Sequence, residues 1–492
     1  MHVSTQGLVA DTLTDLAAIR RSVYHFWACN GLDEAYGGFH GTLQRDGSPT
    51  PPADKGLVQG TRHAWAFSTF HLHGYRHAEA GSKRSSTCSA HAPLQDVVEA
   101  GSTAAERPSA AAAAVYGQTS TGQSDDDSTA GAGQPPLEGD EATMLGHKQR
   151  RPTSQQLARS AFEFVVSSLL LPDTGLLAWM ASRNGSSILQ DNTVLYGQWF
   201  VLYGFSQYYA AFGDVRAQQY ALDCFAAVDA AWHNSSTGGY TENFVNSIPD
   251  EALAPVDSEM PRTLNVLMHG MEALAALHRI SGHPTVLQRL LELLDILCAR
   301  LAREQGLLYE AYLPAAAGAQ WQPAPGQVVV YGHNLESTWL VADTLDYLLG
   351  IEAIPPATAA AYRAAAMNIG AAAVQQGYDA VHGGVFESGL PGRAPNSTAK
   401  VWWVQAESMM ALWKLWQHSG EVGYLRKLAH STRFVRQHVL DNVYGEMFWQ
   451  VEADGTSKFY NNTNLDTKGN MWKASYHSAR APLFLERWMT QQ

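Results

Sequence analysis

The stretch "YGHNLESTWLVADTLDYLLG", residues 331–350, reads as a helix with polar residues in its first turns and an apolar body. His333 and Glu336 stand three apart, so they share one face of it. A helix packed on one neighbour shows a single apolar stripe. This one is apolar nearly all round beyond its start, the pattern of a helix covered on every side. Polar side chains collected at its front then have one reason to be there: that end opens onto a cavity. "LNVLMHGMEALAALHRISG", residues 264–282, repeats the layout with His269 and Glu272.

Four more segments follow the pattern: "TRHAWAFSTFHLHGY" (61–75), "NTVLYGQWFVLYGFSQYYAAFG" (192–213), "KVWWVQAESMMALWKLWQHSG" (400–420) and "MWKASYHSARAPLFLERW" (471–488). Several end in glycine, the usual C-terminal stop. Between them lie ordinary amphipathic stretches such as "QQLARSAFEFVVSSLLL" and "TVLQRLLELLDILCARLAR". Glycine turns with flanking aromatics or acids lead each unit: "AYGGFHG", "DTGLLAW", "TGGYTENF", "EQGLLYEAY", "VHGGVFES" and "NVYGEMFW". Their spacing, roughly 60–80 residues, is that of a repeat architecture. Six helical pairs predict an all-α (α/α)6 barrel, a toroid of six inner and six outer helices with short β-hairpin turns at the open end. An open helical solenoid is the structural alternative, but no capping repeats are visible.

Residues 78–152 break the pattern. They are rich in Ser, Ala, Gly and Thr and nearly free of aromatics, so they cannot bury enough apolar surface to offset their ordering entropy. They are expected to be a low-complexity, disordered insertion. Residues 1–77 and 153–492 are then one catalytic domain.

The chain of 492 residues is 46% hydrophobic and carries a net charge of −13, which argues against nucleic acid or an anionic membrane as partner. No segment is long and apolar enough to span a bilayer. Fourteen tryptophans and twenty tyrosines suit a groove for an amphipathic ligand such as a sugar. Cysteines 29, 88, 224 and 298 show neither C-x-x-C nor zinc-ligand spacing and read as free buried thiols. With no basic-then-apolar start, a cytoplasmic location is expected.

If the barrel closes, the fronts of its inner helices bring together Arg62, Tyr196, His269 with Glu272, His333 with Glu336, Trp403 with Glu407, and Trp472 with His477. His63, His71, His73 and His77 lack such a partner set and read as core or surface residues. No H-E-x-x-H or His/Cys cluster points to a metal, and no G-x-S-x-G points to a serine nucleophile. No metal is expected.

The order of "GGFHGTLQRDGSP", "GTRHAWAFS", "YGQWFVLYGFSQYY", "NVLMHGMEAL", "YGHNLESTWLV", "WWVQAES" and "WKASYHSAR" resembles the N-acylglucosamine 2-epimerase superfamily, and within it the cellobiose 2-epimerases, with mannose isomerases and mannose 2-epimerases nearby. The resemblance implies a sugar 2-epimerase acting on the reducing end of a mono- or disaccharide through an enediolate. It implies His333 and His477 as the acid–base pair and Arg62 and His269 as holders of the sugar oxygens near C1 and C2. Glu336 and Glu407 are implied to orient the histidines and bind hydroxyls. Trp403 and Trp472 are implied to be aromatic walls, and Tyr196, Asn265, Glu272 and Trp339 are also expected to line the substrate, Trp339 by stacking on a second ring. The scheme requires no cofactor, and its partner is a small-molecule sugar, with the chain a monomer or homodimer. An aldose–ketose isomerase on the same scaffold is the nearest alternative. An (α/α)6 glycoside hydrolase using Glu336 and Glu407, or a sugar-binding protein without activity, is more distant.

Overall fold

The computed structural model describes residues 4–50, 54–75, 151–242, 261–457 and 467–491. The expected insertion at 78–152 therefore lies outside the described residues except for its last two positions, and His77 lies outside them as well.

Among the described residues the chain forms twelve α-helices. The inner ones are α2 (Leu57–Leu72), α4 (Leu195–Phe212), α6 (Leu264–Ser281), α8 (Tyr331–Gly350), α10 (Trp402–Ser419) and α12 (Tyr476–Thr490). The outer ones are α1 (Thr5–Asn30), α3 (Ser154–Leu169), α5 (Val215–Trp232), α7 (Pro284–Asp295), α9 (Pro356–Gly377) and α11 (Val422–Phe434). Each inner helix touches the next, α2 to α4 to α6 to α8 to α10 to α12, and α12 returns to α2. The ring is closed, and the solenoid alternative is set aside. As expected of helices covered on all sides, α2 and α4 bury nearly every side chain in their first three turns. Among the outer helices α7 shows the opposite pattern, burying Val286, Leu290, Leu293 and Leu294 along one stripe.

The β-structure is confined to short pieces that fix where the inner helices begin. Two-residue strands at 55–56, 262–263, 329–330 and 400–401 lead directly into α2, α6, α8 and α10. Each pairs antiparallel with the next repeat's hairpin, as in Lys400↔Val451 and Val330↔Ser388. All these helices therefore start at one end of the barrel.

A second device repeats beside the strands. At the fourth residue of three inner helices a carboxamide mimics a peptide and bonds both groups of one hairpin residue. Gln198 holds the N–H and C=O of Leu177, Asn334 those of Leu308, and Gln405 those of Val385. Gly384, at φ +79, makes this approach possible: a Cβ there would sit 2.4 Å from the Gln405 side chain. Buried lysines clasp three of the glycine turns, one of them the turn that Gln405 holds. Lys55, Lys400 and Lys468 donate to the carbonyls of Gly37, Gly383 and Gly445 at 2.6, 2.6 and 2.9 Å, and pair with Asp33, Asp379 and Asp441.

Two expectations need correction. The last inner helix was expected to begin near Met471, but α12 starts at Tyr476. The Asn470 side chain accepts from the N–H groups of Trp472 and Lys473 and holds that segment as a turn. Cys224 and Cys298 are free and buried, whereas Cys29 is disulfide-bonded. Chain spacing carries no signal of which thiols the fold brings within bonding distance. No helix among the described residues is long and apolar enough to cross a membrane.

Candidate active site

The front ends of the inner helices meet in one cluster, and every side chain expected there is part of it or directly supports it. His333, in the first turn of α8, packs on Trp403 of α10, with ring centroids 4.7 Å apart. Gly332 allows this contact, since a Cβ there would lie 2.6 Å from the Trp403 ring. His477, in the first turn of α12, packs on the same indole at 6.0 Å. The two imidazoles thus share one aromatic wall although 144 residues separate them in the chain.

Each imidazole is tied through Nδ1 to a carboxylate. His477 Nδ1 lies 2.7 Å from Glu407 Oε1, and His333 Nδ1 lies 2.7 Å from Glu310 Oε2. The expected partner of His333, Glu336, does not touch it. Residues three apart share a face but are offset around the helix axis, and here the offset is decisive. His333 reaches the rim, where Glu310 comes up from the turn after α7, while Glu336 is fully buried. Glu310 went unrecognised in the sequence. Its signal was an acid four residues after the turn glycine, as in Gly306 to Glu310, Gly238 to Glu242 and Gly383 to Glu387.

The pair His269–Glu272 does form, with 2.9 Å between Nδ1 and Oε2. Arg62 donates to the Tyr196 hydroxyl at 2.8 Å and to the Trp472 carbonyl, and its guanidinium lies over the Phe200 ring at 4.3 Å. Asn265 hydrogen-bonds the same tyrosine, and its side-chain carbonyl oxygen is buried without a partner. Trp472 packs on Trp179 at 5.7 Å and Tyr196 at 6.1 Å. Trp403 and Trp472 are half-buried, as walls of a pocket should be. Trp339, expected to face a sugar, is only 1% exposed. Its indole donates to Glu407 Oε2 at 2.8 Å and lies against the Arg480 guanidinium, so it supports Glu407 from beneath.

Arg480, one turn after His477, is the other residue missed. It is fully buried and its guanidinium reaches three carboxylates: Glu272 at 2.6 Å, Glu407 at 2.8 Å, and Glu336. His269, Glu272 and Glu336, and likewise Glu336, Glu407 and His477, present ligand atoms within 4.8 Å of one another, which invites a metal reading. The guanidinium already fills the place a cation would take between these carboxylates, so the donor set does not fit one.

The charge states follow from burial. Burial and then the Glu407 charge push Glu336 far above the usual carboxylate range, so it is a neutral acid. Burial also raises Glu407, but Arg480 and Trp339 draw it back, and with donors from Arg480, Trp339 and His477 it is the ionised member. Glu272 is held down to about 2: Arg480 and His269 together outweigh its burial. Burial lowers His269 to about 4 and His477 well below 6.5. Both are therefore neutral at pH 7. An ionised carboxylate only accepts, so each carries its proton on Nδ1 and offers a bare Nε2. His269 thus offers a hydrogen-bond acceptor at Nε2.

These shifts set a stability profile. His25, His73 and His269 are each held down to about 4, in each case first by burial. The unfolded chain binds those protons near pH 6.5 and the folded one refuses them, so these rings remove stability as pH drops from about 6.5 to 4, while Glu242, raised by burial to about 8, and Glu336 add stability over the same fall in pH. Each unit of depression on one ring is worth about 1.4 kcal/mol. Glu272 and Asp379, lowered to about 2, act in the next window, and their contribution is lost below about pH 4. A series of Tm measurements should show the first decline already between pH 6.5 and 5. Replacing His25 and His73 with glutamine should flatten that decline, and an unchanged decline in the double variant contradicts the burial of these rings.

The chain is 25% identical over 345 residues to a cellobiose 2-epimerase from Bacteroides fragilis, covering 68% of this chain and 81% of the relative. The fold matches the cellobiose 2-epimerase structure from Spirochaeta thermophila with a TM-score of 0.70 and 24% identity, over 100% of this chain and 99% of that one. It also matches a D-mannose isomerase structure with a TM-score of 0.67 and 17% identity, over 96% and 97% of the two chains. The N-acylglucosamine 2-epimerase (GlcNAc 2-epimerase) family model matches residues 143–478, more than half of the chain. The protein belongs to the N-acylglucosamine 2-epimerase family of carbohydrate epimerases and isomerases.

Proposed function

We propose that the protein is a sugar 2-epimerase acting on the reducing-end aldose of a mono- or disaccharide, with His333 and His477 as its acid–base pair. The observation that carries this reading is the pair of imidazoles on the Trp403 indole, each tied by Nδ1 to a carboxylate and free at Nε2.

In the open-chain aldose the C2 hydrogen is next to the C1 carbonyl. One histidine Nε2 takes that proton, and the electron pair of the C–H bond moves into an enediolate. The negative charge on its oxygens is met by the Arg62 guanidinium and the Tyr196 hydroxyl. The second histidine enters the step as an imidazolium with its proton on Nε2 and delivers that proton to C2 from the other side, which inverts the centre; the pair has then exchanged protonation states. His269 Nε2 accepts from a sugar hydroxyl. Delivery of the proton to C1 instead yields the ketose, so an aldose–ketose isomerase is the second reading, and the likeness to a D-mannose isomerase fold keeps it in view. The glycosidase reading has less support. Glu336 and Glu407 both converge on Arg480 and are fully buried, where a hydrolase needs them on either side of a scissile bond.

The test is incubation with cellobiose, mannose and N-acetylmannosamine, following the anomeric proton signals. The expected result is the 2-epimer of at least one sugar at a constant number of reducing ends. New reducing ends, or no change with all three sugars, overturn the proposal.

A further inference from the structure

We infer that Arg480 is the positioning residue of the reaction, a single guanidinium that holds Glu272 and Glu407 in place so that His269 and His477 both present Nε2 to the substrate. The inference rests on the epimerase reading. Its geometry is independent of that reading.

Arg480 touches no substrate: its side chain is 0% exposed. Nη1 pairs with Glu272 Oε1 at 2.6 Å, and Nη2 pairs with Glu407 Oε1 at 2.8 Å and with Glu336. The oxygen of Glu407 that meets Arg480 is the one that accepts from His477. The carboxylate of Glu272 that meets Arg480 also accepts from His269 and from the Tyr476 hydroxyl. One fork therefore links two histidines on different helices, α6 and α12, through their carboxylates. A planar guanidinium can do this, whereas an ammonium is a point charge without the fixed fork. Arg480 is itself clamped between the rings of Trp339 and Tyr476, at 4.7 and 4.2 Å.

Charge balance explains why the arrangement needs this residue. The titratable and charged groups facing it are Arg62 from α2, Tyr203 from α4, His269 and Glu272 from α6, Glu336 from α8, Glu407 from α10, and Tyr476 and His477 from α12 itself. Three of them are buried carboxyl groups. With Arg480 present, two stay ionised and Glu336 carries a proton. Weaken that charge and a second carboxyl takes a proton as well. Its histidine then loses an obligate acceptor at Nδ1, and the tautomer that leaves Nε2 bare is no longer enforced.

The test uses Arg480→Lys, whose single ammonium cannot sit against all three carboxyl groups at once and so weakens the charge they share, and Arg480→Ala with added guanidinium ion. For Arg480→Lys, kcat should fall about tenfold with KM within about threefold, and the acid limb of the kcat/KM profile should move up by about one pH unit. Guanidinium at millimolar concentration should restore part of the Arg480→Ala rate where that variant folds. A structural role alone lowers the folded fraction without moving the limb. Histidine-selective ¹⁵N labelling of the wild type and Arg480→Lys gives a readout that needs no sugar. The Nδ1–H tautomers of His269 and His477 should dominate in the wild type and give way to mixed tautomers in the variant. Unchanged tautomers, or an unmoved acid limb with wild-type kcat, overturn the inference. A wild type inactive on every sugar overturns the proposed function instead and leaves the tautomer readout decisive for Arg480.

Discussion

Replacing His477 with asparagine is expected to lower kcat for epimerisation by about 10²–10⁴, the range lost with a general acid–base group, while KM stays near the wild-type value. Asparagine is chosen because its amide can still donate to Glu407 Oε1, which accepts from His477 Nδ1 at 2.7 Å. Glu407 then keeps its donors from Trp339 and Arg480, and the change falls on proton transfer alone. The ring is neutral because burial, then the nearby Arg62 and Arg480, hold it well below the ordinary imidazole range. A neutral imidazole is what a base acting on a carbon acid requires. Steady-state kinetics alongside Tm checks the expectation. A loss smaller than about tenfold in a variant of wild-type stability removes His477 from the proton-transfer step.

Arg62→Met should cost about 10²–10³ in kcat, the scale of losing one preorganised donor to an oxyanion. Methionine roughly preserves the apolar reach over the Phe200 ring, on which the guanidinium lies at 4.3 Å. What it removes is the positive charge and the bonds to Tyr196 and the Trp472 carbonyl. The Trp472 carbonyl loses a donor, which costs about 1–3 kcal/mol of stability, so rates are compared well below the variant's Tm. Arg62→Lys should recover only part of the loss, because one ammonium does not reproduce a fork that serves Tyr196 and Trp472 together. The signature is a fall in kcat and in kcat/KM by similar factors. A rise in KM alone makes Arg62 a ground-state binding residue and removes it from the oxyanion's support.

The barrel was legible in the sequence because inner helices must be apolar on every side. "VLYGQWFVLYGFSQYYAAF" and "WWVQAESMMALWKLW" carry apolar side chains on every face and so call for packing partners all round. His269 with Glu272 was legible for a local reason, the shared face at i, i+3. The same rule failed at His333, where the partner turned out to be Glu310, 23 residues earlier in the chain. Pairing between elements depends on how far each side chain rises toward the rim, and periodicity carries no such information. Arg480 was hidden in the same way. "YHSAR" places it on the His477 face, but only the meeting of α6, α8, α10 and α12 shows that three carboxyl groups need one guanidinium. Trp339 had the composition of a sugar platform and the depth of a core residue, and sequence gives composition alone. The carboxamide clamps at Gln198, Asn334 and Gln405 looked like ordinary polar residues at helix starts. They are the reason the neighbouring Trp403 and His333 sit where they do.

The central claim is that two imidazoles serve C2 of one sugar from its two sides. Hydrogen exchange at C2 in deuterated water, measured separately for both epimers with His333→Asn and His477→Asn, tests it most directly. The account predicts complementary losses: one variant still exchanges the C2 hydrogen of one epimer, the other variant that of its partner epimer, and neither interconverts them. If both variants exchange the same epimer, or if wild-type product retains the substrate's own C2 hydrogen, the two-histidine account is contradicted.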